Sequence, residues 1–169
     1  MEAYQALVSR RSIRSYTTKK IPKTTVDEII KAAMHAPSAN NQQPWEFIVI
    51  DSPSLLGKIP SFSPHAQMSK NAPLGILVCG KIENIPSEHF WPQDCAAATQ
   101  NLLLAAHSHG IGSVWTGVYP KQEIMKGFSD LFSLPKSIIP FAYIVLGYPE
   151  KKPFPKERFI KEKIHYNQW

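Results

Sequence analysis

Hydrophobic residues along this chain follow two different periods, and their alternation predicts a layered fold of helices and strands. The segment TTVDEIIKAAMHAP places Val26, Ile29 and Ala33 at helical spacing. Thr25, with Glu28 three residues later, has the pattern of a capping box at the start of this helix. A helix is therefore predicted from Thr25 to the proline at position 37.

Four other segments are rich in β-branched and aromatic residues, which is typical of strands. In chain order they are WEFIVID, LGILVCG, SVWTGVYP and FAYIVLGYP. Four more segments have the composition of helices. They are EAYQALVS, SPSLLGKI, PQDCAAATQNLLLAAHSHG and KQEIMKGFSDLF. Two helices precede the first strand, so the order of elements indicates an α/β or α+β sandwich around a central mixed sheet.

Two parts of the chain carry more apolar surface than one sheet can cover. The helix PQDCAAATQNLLLAAHSHG is apolar on more than one side, and a partner subunit is the simplest second surface. Residues 149–169 are basic and broken by prolines, yet they contain large apolar side chains. These are Phe154, Phe159, Ile160, Tyr166 and Trp169. We expect a single domain, 1–169, whose C-terminal extension 149–169 packs on another surface.

Composition restricts the class of protein. The apolar fraction of 43% is that of a globular chain. No run of apolar residues is long enough to span a membrane, and the N-terminus lacks an apolar signal core, so a cytoplasmic protein is expected. Cys79 and Cys95 lie in apolar surroundings without a CxxC pattern, which favours buried free thiols over a disulfide.

Positive charge is concentrated at the two ends of the chain. Residues 1–36 carry seven basic and three acidic side chains, and residues 149–169 carry six and three. Residues 37–148 carry six and seven. Three of the four arginines stand together at Arg10, Arg11 and Arg14. Guanidinium groups bind phosphate bidentately, so this loop, with the hydroxyl of Ser12 inside it, is a candidate phosphate site as well as a candidate solvated turn.

The chain lacks the common catalytic motifs. It contains no GxSxG elbow, no Walker-type loop and no GxGxxG after the first strand. His107 and His109 stand at a helix end, where they point to different faces, and this favours helix termination over a metal site. An enzyme with so few catalytic groups would need a cofactor for its chemistry.

Four segments in order resemble the nitroreductase family of FMN-dependent oxidoreductases. They are RRSIRSY (10–16), APSANNQQPW (36–45), DCAAATQNLLLAAHSHGIGSVWTG (94–117) and KERF (156–159). The resemblance implies an α+β, three-layer sandwich with a central mixed β-sheet flanked by helices. It also implies a homodimer with exchanged termini, in which FMN lies at the subunit interface. Such a partner would account for the apolar helix and the apolar C-terminal extension.

The resemblance also assigns roles to residues. It implies that Arg10 binds the FMN phosphate, with Arg11 beside it. Ser12 and Arg14 belong to the same flavin-binding stretch, and Arg14 would lie towards the flavin ring. Lys156 and Arg158 would complete the phosphate site. A loop of the other subunit would reach the flavin through Pro37, Ser38 and Ala39, with Asn41 and Gln43 holding its shape. The backbone of Thr116, Gly117 and Val118 would approach the ring.

The function implied is transfer of two electrons from NADPH or NADH through flavin N5 to a nitroaromatic, quinone or similar small-molecule acceptor, by a ping-pong mechanism. Arg14 would stabilise negative charge on the reduced flavin. No catalytic side chain, metal, nucleic acid or membrane is required. The alternatives are a flavin-binding relative that destroys flavin or dehalogenates its substrate, and a basic nucleic-acid-binding protein.

Three assignments stay open in the sequence. Either His65 or Gln67, ahead of the second strand, could meet the pyrimidine edge of the flavin. Phe90 and Trp91 could line a substrate pocket or seal the core, whereas Trp45 alone is expected to be a buried strand residue. The region 82–92 is short compared with that of longer family members, which predicts a more open substrate pocket.

Overall fold

Every helix and strand expected from the hydrophobic pattern is present in the computed structural model, which describes residues 1–151, 154 and 156–169. The helices are α1 (Ala3–Ser9), α2 (Lys23–Met34), α3 (Pro53–Lys58), α4 (Trp91–Ser108) and α5 (Gln122–Phe132). The strands are β1 (Trp45–Ile50), β2 (Leu74–Lys81), β3 (Gly112–Gly117) and β4 (Ile138–Gly147). Short 3-10 helices occupy Ala39–Asn41, Ile59–Ser61, Pro64–Asn71, Glu88–Phe90 and Lys161–Lys163.

The strands form one sheet in the order β1-β2-β4-β3, so that β1 and β3 are its edges. All three pairings between these strands are antiparallel. We expected a sheet with both parallel and antiparallel strands. Among the described residues, the parallel pairing is an isolated bridge between Ser12 and Ser113. The apolar runs of β2 and β4 reflect burial on both faces, which parallel and antiparallel strands share, so hydropathy alone does not reveal strand direction.

Helices cover both faces of the sheet and make it the middle of three layers. On one face, Ile76, Val78 and Ile144 pack with α4 residues such as Ala98 and Leu102. The opposite face packs against α3, α5 and the 3-10 helices between α3 and β2. Its core includes Leu77, Tyr143, Leu56, Ile59 and Phe128.

The second apolar side of α4 is covered in part by the same chain. Val26, Ile29 and Ala33 of α2 are buried in the same cluster as Ala98 and Leu102 of α4. The expectation that a partner subunit provides this whole surface is therefore wrong. The reason is that α2 has its own apolar stripe, and two helices that each carry such a stripe bury it by packing together.

The start of α2 also differs from the prediction. The helix begins at Lys23, and no side-chain hydrogen bond caps it. The carbonyl of Pro22 accepts the Val26 N–H at 3.1 Å, so Thr25 lies within the first turn and not at its cap. Pro22 stands at the N-cap position with an extended ψ of 142° and has no side-chain acceptor, and Lys23 and Thr24 in the first turn are exposed to solvent.

The two cysteines are buried free thiols, as predicted. Burial, with the nearby charge of Glu46, raises the pKa of Cys79 to about 12. Burial is also the main cause that raises the pKa of Cys95. Both side chains therefore stay protonated at neutral pH and act as core residues. Within the residues that the structure describes, no helix is both long and apolar enough to cross a membrane.

Candidate functional site

The arginine loop is attached to the exposed edge of the sheet. After α1 ends, Ser12 forms a parallel bridge with Ser113 at the start of β3, and the Ile13 N–H donates to the Ser113 carbonyl at 2.9 Å. A Cβ on Gly112 would lie 2.8 Å from side-chain atoms of Ile13, so this close approach requires a glycine there. The loop is thus held at one end of an edge strand.

The C-terminal segment returns to this loop, as the distribution of arginines predicts. The guanidinium of Arg11 donates to the Lys156 carbonyl at 2.9 Å. Partial burial, followed by the positive charges of Arg158 and Arg11, lowers the pKa of the Arg10 guanidinium. Cations from opposite ends of the chain therefore lie close enough to repel one another, and an anion bound between them would relieve that repulsion.

A cavity of about 380 Å³ lies beside these cations. Arg10, Arg11, His107, Ile111, Ser113 and Pro149 are among its lining residues. Ser113 is 2% exposed. Its hydroxyl and the Nε atoms of Arg10 and Arg11 are buried without a hydrogen-bond partner among the described residues. Buried donors without partners are costly, so this end of the edge strand is suited to a ligand with acceptor oxygens.

His107 belongs to this cavity, a role that the sequence reasoning missed. Its Nε2 lies 2.8 Å from the Ser9 hydroxyl, which itself donates to the Gln5 carbonyl. The Ser9 oxygen is thus the acceptor, and His107 is the donor. Burial, and then the charges of Arg10 and Arg11, lower the pKa of His107 and favour its neutral form.

His109 points elsewhere, as expected for two residues on different sides of a helix end. Its Nε2 lies 3.4 Å from a carboxylate oxygen of Glu28 on α2. Among the described residues, no three histidine, cysteine or acidic side chains are grouped as a metal site requires. The two histidines therefore lie in different surroundings, His107 at the cavity and His109 against α2.

The loop 38–43 is held by a network of its own. The Ser38 hydroxyl accepts the Gln43 N–H at 3.0 Å, and the Gln43 amide donates to Asn41 Oδ1 at 2.9 Å. Asn40, Asn41 and Gln43 all have positive φ angles, between 46° and 53°. This backbone persists because the surrounding hydrogen bonds determine it.

Asp94, at the start of α4, anchors that loop and was missed in the sequence. Its carboxylate accepts the Ala39 N–H at 2.9 Å and the Gln42 side-chain amide at 2.6 Å. Gln42 also accepts the Ser87 N–H at 2.9 Å. A single acidic residue in an apolar helix is the signal that could have identified this anchor, because a buried carboxylate needs partners.

The other end of β3 offers open space. The Thr116 hydroxyl donates to the Tyr143 carbonyl at 2.8 Å, and Val118 is fully buried, so both side chains face the core. A Cβ on Gly117 would meet nothing within 4 Å. Only the main chain and Gly117 are therefore available to an outside ligand at this end. Ser113 and Gly117 are four residues apart, about 13 Å along the edge strand.

Within one chain, the loop that contains Pro37, Ser38, Ala39 and Asn41 lies away from the arginine cluster. It is bonded to Asp94, whereas the cavity reaches His107, thirteen residues further along α4, or about 20 Å. It also precedes β1, which lies three strand spacings from β3, roughly 14 Å across the sheet. Arg10, Arg11, Ser12, Lys156 and Arg158 are brought together, and Arg14 is exposed nearby.

The open assignments are settled in part. Trp45 is buried at the strand entrance, as predicted. Trp91 is buried and packs edge-on against Tyr119, with ring centroids 4.9 Å apart, so it seals the core. Phe90 is 48% exposed and is thus free to contact a ligand.

His65 and Gln67 are both exposed on the 3-10 helix before β2. The choice between these two residues as a contact to the flavin pyrimidine edge therefore stays open.

Known proteins with this sequence pattern and fold identify the family. The family model described as "Nitroreductase family" matches residues 7–73 and 63–148. The chain belongs to the nitroreductase family. Among curated nitroreductase relatives, the "Putative NADH dehydrogenase/NAD(P)H nitroreductase" of Methanothermobacter thermautotrophicus is 46% identical, over 100% of this chain and 88% of the relative.

Solved nitroreductase structures share the fold closely. A protein of the same name from Bacteroides thetaiotaomicron is 38% identical with a TM-score of 0.94, covering 99% of this chain and 98% of its own. A nitroreductase from Desulfovibrio desulfuricans, solved in complex with FMN, is 31% identical with a TM-score of 0.85, covering 100% and 98%. An iodotyrosine deiodinase from Haliscomenobacter hydrossis is also similar, at 23% identity over 88% of this chain and 79% of the relative.

Proposed function

We propose that this protein is an FMN-dependent oxidoreductase that transfers electrons from NADH or NADPH to a nitroaromatic, quinone or similar small molecule. The observation that carries the proposal is the proximity of Arg10 and Arg158, with the main chain of Lys156 bonded to Arg11, at one end of an edge strand whose other end, at Gly117, is open. The nitroreductase relatives, one of them solved with FMN, support the choice of cofactor.

The residues of this strand edge fit a flavin mononucleotide. A phosphate would accept hydrogen bonds from the orphaned donors at Arg10 and Ser113 and from the cations of Lys156 and Arg158. The span of about 13 Å from Ser113 to Gly117 suits an extended mononucleotide with its phosphate at the first residue and its planar ring at the last. Ser12, paired with Ser113, lies at the phosphate end, and Arg14 would lie towards the ring.

FMN, when bound, supplies the redox chemistry that the side chains lack, accepting hydride from a nicotinamide and passing two electrons on. The chain's own part is to position and to stabilise. Arg14 would stabilise negative charge on the reduced flavin, and the main chain of Thr116, Gly117 and Val118 would approach the ring. Donor and acceptor would use one open surface in turn, which predicts ping-pong kinetics.

A homodimer completes the proposed site. Large apolar side chains are exposed in the single chain on the C-terminal extension and on α1. They include Tyr4, Leu7, Phe159, Tyr166 and Trp169, and the last of these is 99% exposed. Exposed apolar patches of this kind mark interaction surfaces. Because the loop of Pro37, Ser38, Ala39 and Asn41 lies roughly 20 Å from its own arginine cluster, it would reach the flavin of the partner subunit.

The test is direct. The purified protein should be yellow or should become yellow with added FMN, should lose that colour with NADPH without oxygen, and should regain it when a nitroaromatic is added. Initial rates at several fixed donor concentrations should give the parallel reciprocal plots of a ping-pong reaction. A protein that neither contains nor takes up FMN would contradict the proposal.

Reductive dehalogenation is a second candidate activity, favoured by the similarity to iodotyrosine deiodinase. The same electron pair, with two protons, would then convert a carbon–iodine bond into a carbon–hydrogen bond and hydrogen iodide. Release of iodide from iodotyrosine, compared with NADPH consumption on a nitroaromatic at equal concentration, distinguishes the two activities.

A further inference from the structure

Arg11 stands in the middle of the proposed phosphate site, yet its terminal nitrogens are already used. Nη1 donates to the Val8 carbonyl at 3.0 Å and to the Arg10 carbonyl at 2.7 Å. Nη2 donates to the Lys156 carbonyl at 2.9 Å. Val8 lies in the last turn of α1, where carbonyls have no partner within the helix. The guanidinium thus joins the end of α1 to the C-terminal segment.

Glu157 fixes the chain immediately after that junction. Its carboxylate accepts the backbone N–H of Arg158 at 2.6 Å and that of Phe159 at 2.7 Å. These two hydrogen bonds, Phe159 first, lower the pKa of Glu157. The short turn fixes the main chain from Glu157 to Phe159, so the contact of Arg11 with the Lys156 carbonyl holds the stretch of backbone that carries both cations.

The rest of the C-terminal segment makes few connections to the body of the chain. Between residues 156–169 and residues 1–151, as far as the structure describes them, the hydrogen bond from Arg11 to Lys156 is the connecting one. All residues from 156 to 169 are exposed. Among the described residues, the guanidinium of Arg11 therefore provides the hydrogen bond that attaches this segment to its own subunit.

We propose that Arg11 is a positioning residue, whose planar guanidinium holds the segment of Lys156 and Arg158 beside Arg10 and thereby completes the phosphate site. This inference rests on the proposed function. Arg11 acts through geometry, not through its charge on the phosphate. A guanidinium donates to three carbonyls from a fixed plane, whereas a lysine ammonium has one nitrogen on a flexible stem and cannot reproduce the arrangement.

Lysine and glutamine substitutions separate geometry from charge. Arg11→Lys keeps the charge and Arg11→Gln removes it, and we expect both to weaken FMN binding by about tenfold or more. Riboflavin, which has no phosphate, should bind both variants with the wild-type dissociation constant, so the preference for FMN over riboflavin should fall. Lys31→Gln on the exposed side of α2 is the matched control and should leave both constants unchanged. An Arg11→Lys variant with wild-type FMN affinity would overturn the inference.

A measurement without flavin tests the attachment itself. In the flavin-free protein, amide hydrogen exchange at Arg158 and Phe159 should be faster in Arg11→Lys and Arg11→Gln than in the wild type and in Lys31→Gln. Equal exchange in all four proteins would overturn the inference even if FMN binds. If the wild type binds no FMN, the proposed function fails, while faster exchange would still support the attachment.

A double-mutant cycle gives a third, independent outcome. If Arg11 acts by placing Arg158, then Arg158→Gln should cost much less FMN affinity in the Arg11→Gln background than in the wild type. Additive losses would mean that the two arginines contact the phosphate separately, and this outcome would also contradict the positioning role.

Discussion

The arginine cluster and the loop 38–43 are both polar, but they are built in opposite ways. In the loop, Asp94, Gln42 and Gln43 satisfy one another and the main chain, so the structure is complete without a ligand. In the cluster, Arg10 and Arg158 repel each other, and buried donors lack partners among the described residues. The loop is thus held by its own hydrogen bonds, whereas we infer that an anion completes the cluster. Electrostatic incompleteness therefore marks a binding site more clearly than polarity does.

The largest expected effect comes from removing the two repelling arginines together. Arg10→Gln/Arg158→Gln should weaken FMN binding by about a hundredfold or more, since each charge-assisted hydrogen bond contributes roughly 1.5–3 kcal/mol. The flavin-free variant should melt about 1–3 °C higher than the wild type, because relieved repulsion stabilises it by up to roughly 1 kcal/mol. Fluorescence titration and thermal melting measure the two quantities.

The comparison predicts that FMN affinity falls while the melting temperature of the flavin-free protein rises. Lys31→Gln/Lys58→Gln removes the same charge from exposed positions on α2 and α3 and serves as the control, with neither change expected. If the arginine variant melts lower without flavin, then the cluster contributes to folding by itself and is not an incomplete site.

Asp94 provides the corresponding test for the preformed loop. Asp94→Ala leaves the Ala39 N–H and the Gln42 amide without their acceptor, so the free energy of unfolding should fall by about 3 kcal/mol. The loss should be present without FMN, because the network needs no ligand. Urea denaturation of the flavin-free protein measures it.

An exposed acidic residue is the control for this variant. Asp130 pairs only with Lys126 on the surface of α5, and Asp130→Ala should change stability by no more than about 0.5 kcal/mol. Equal losses for Asp94→Ala and Asp130→Ala would show that the loop network does not carry the stability assigned to it.

The sequence predicted the arginine cluster better than it predicted the loop. Arg10 and Arg158 stand out because arginine is rare in this chain and because phosphate chemistry favours it. Asp94 and Gln42 did not stand out, since their meaning depends on a contact between residues 52 positions apart. A rare charged residue type can indicate a binding site in the sequence itself. A hydrogen-bonded network such as that of Asp94 and Gln42 becomes visible only when the fold brings its members together.

The fold shows the same division between local and long-range information. Helix and strand positions follow from hydrophobic periods, which are local, and every one of them is present. The cover of α4 by α2 and the antiparallel pairing of β2 with β4 depend on which elements meet in space. The partner-covered α4 failed because it depends on a neighbour that the local pattern does not specify, whereas the capping box at Thr25 failed because the helix begins two residues earlier, at Lys23.

The smallest expected effect concerns His107. Its pKa responds to the charges of the arginine cluster, so it can show whether a bound phosphate neutralises them. Burial and the charges of Arg10 and Arg11 lower the pKa of His107 in the flavin-free protein, so the histidine loses its proton more readily there. A bound phosphate would offset those charges and raise the pKa again. Binding would then take up a proton, and FMN affinity should rise as the pH falls through the raised pKa of His107 in the complex towards its lower pKa in the flavin-free protein.

The change in the pKa of His107 on binding limits the size of this effect. For each unit by which binding raises that pKa, FMN affinity can increase by at most about tenfold. The FMN phosphate has its own second ionisation near pH 6, which acts equally on wild type and variants and cancels when their pH profiles are compared. His107→Gln should therefore bring the ratio of the FMN dissociation constant at pH 8 to that at pH 6 closer to one than it is in the wild type. His109→Gln, which removes a histidine paired with Glu28 outside the cavity, should keep the wild-type ratio. Identical profiles for wild type and His107→Gln would mean that phosphate binding does not change the field at His107. The cluster would then be solvated by water instead of being left incomplete.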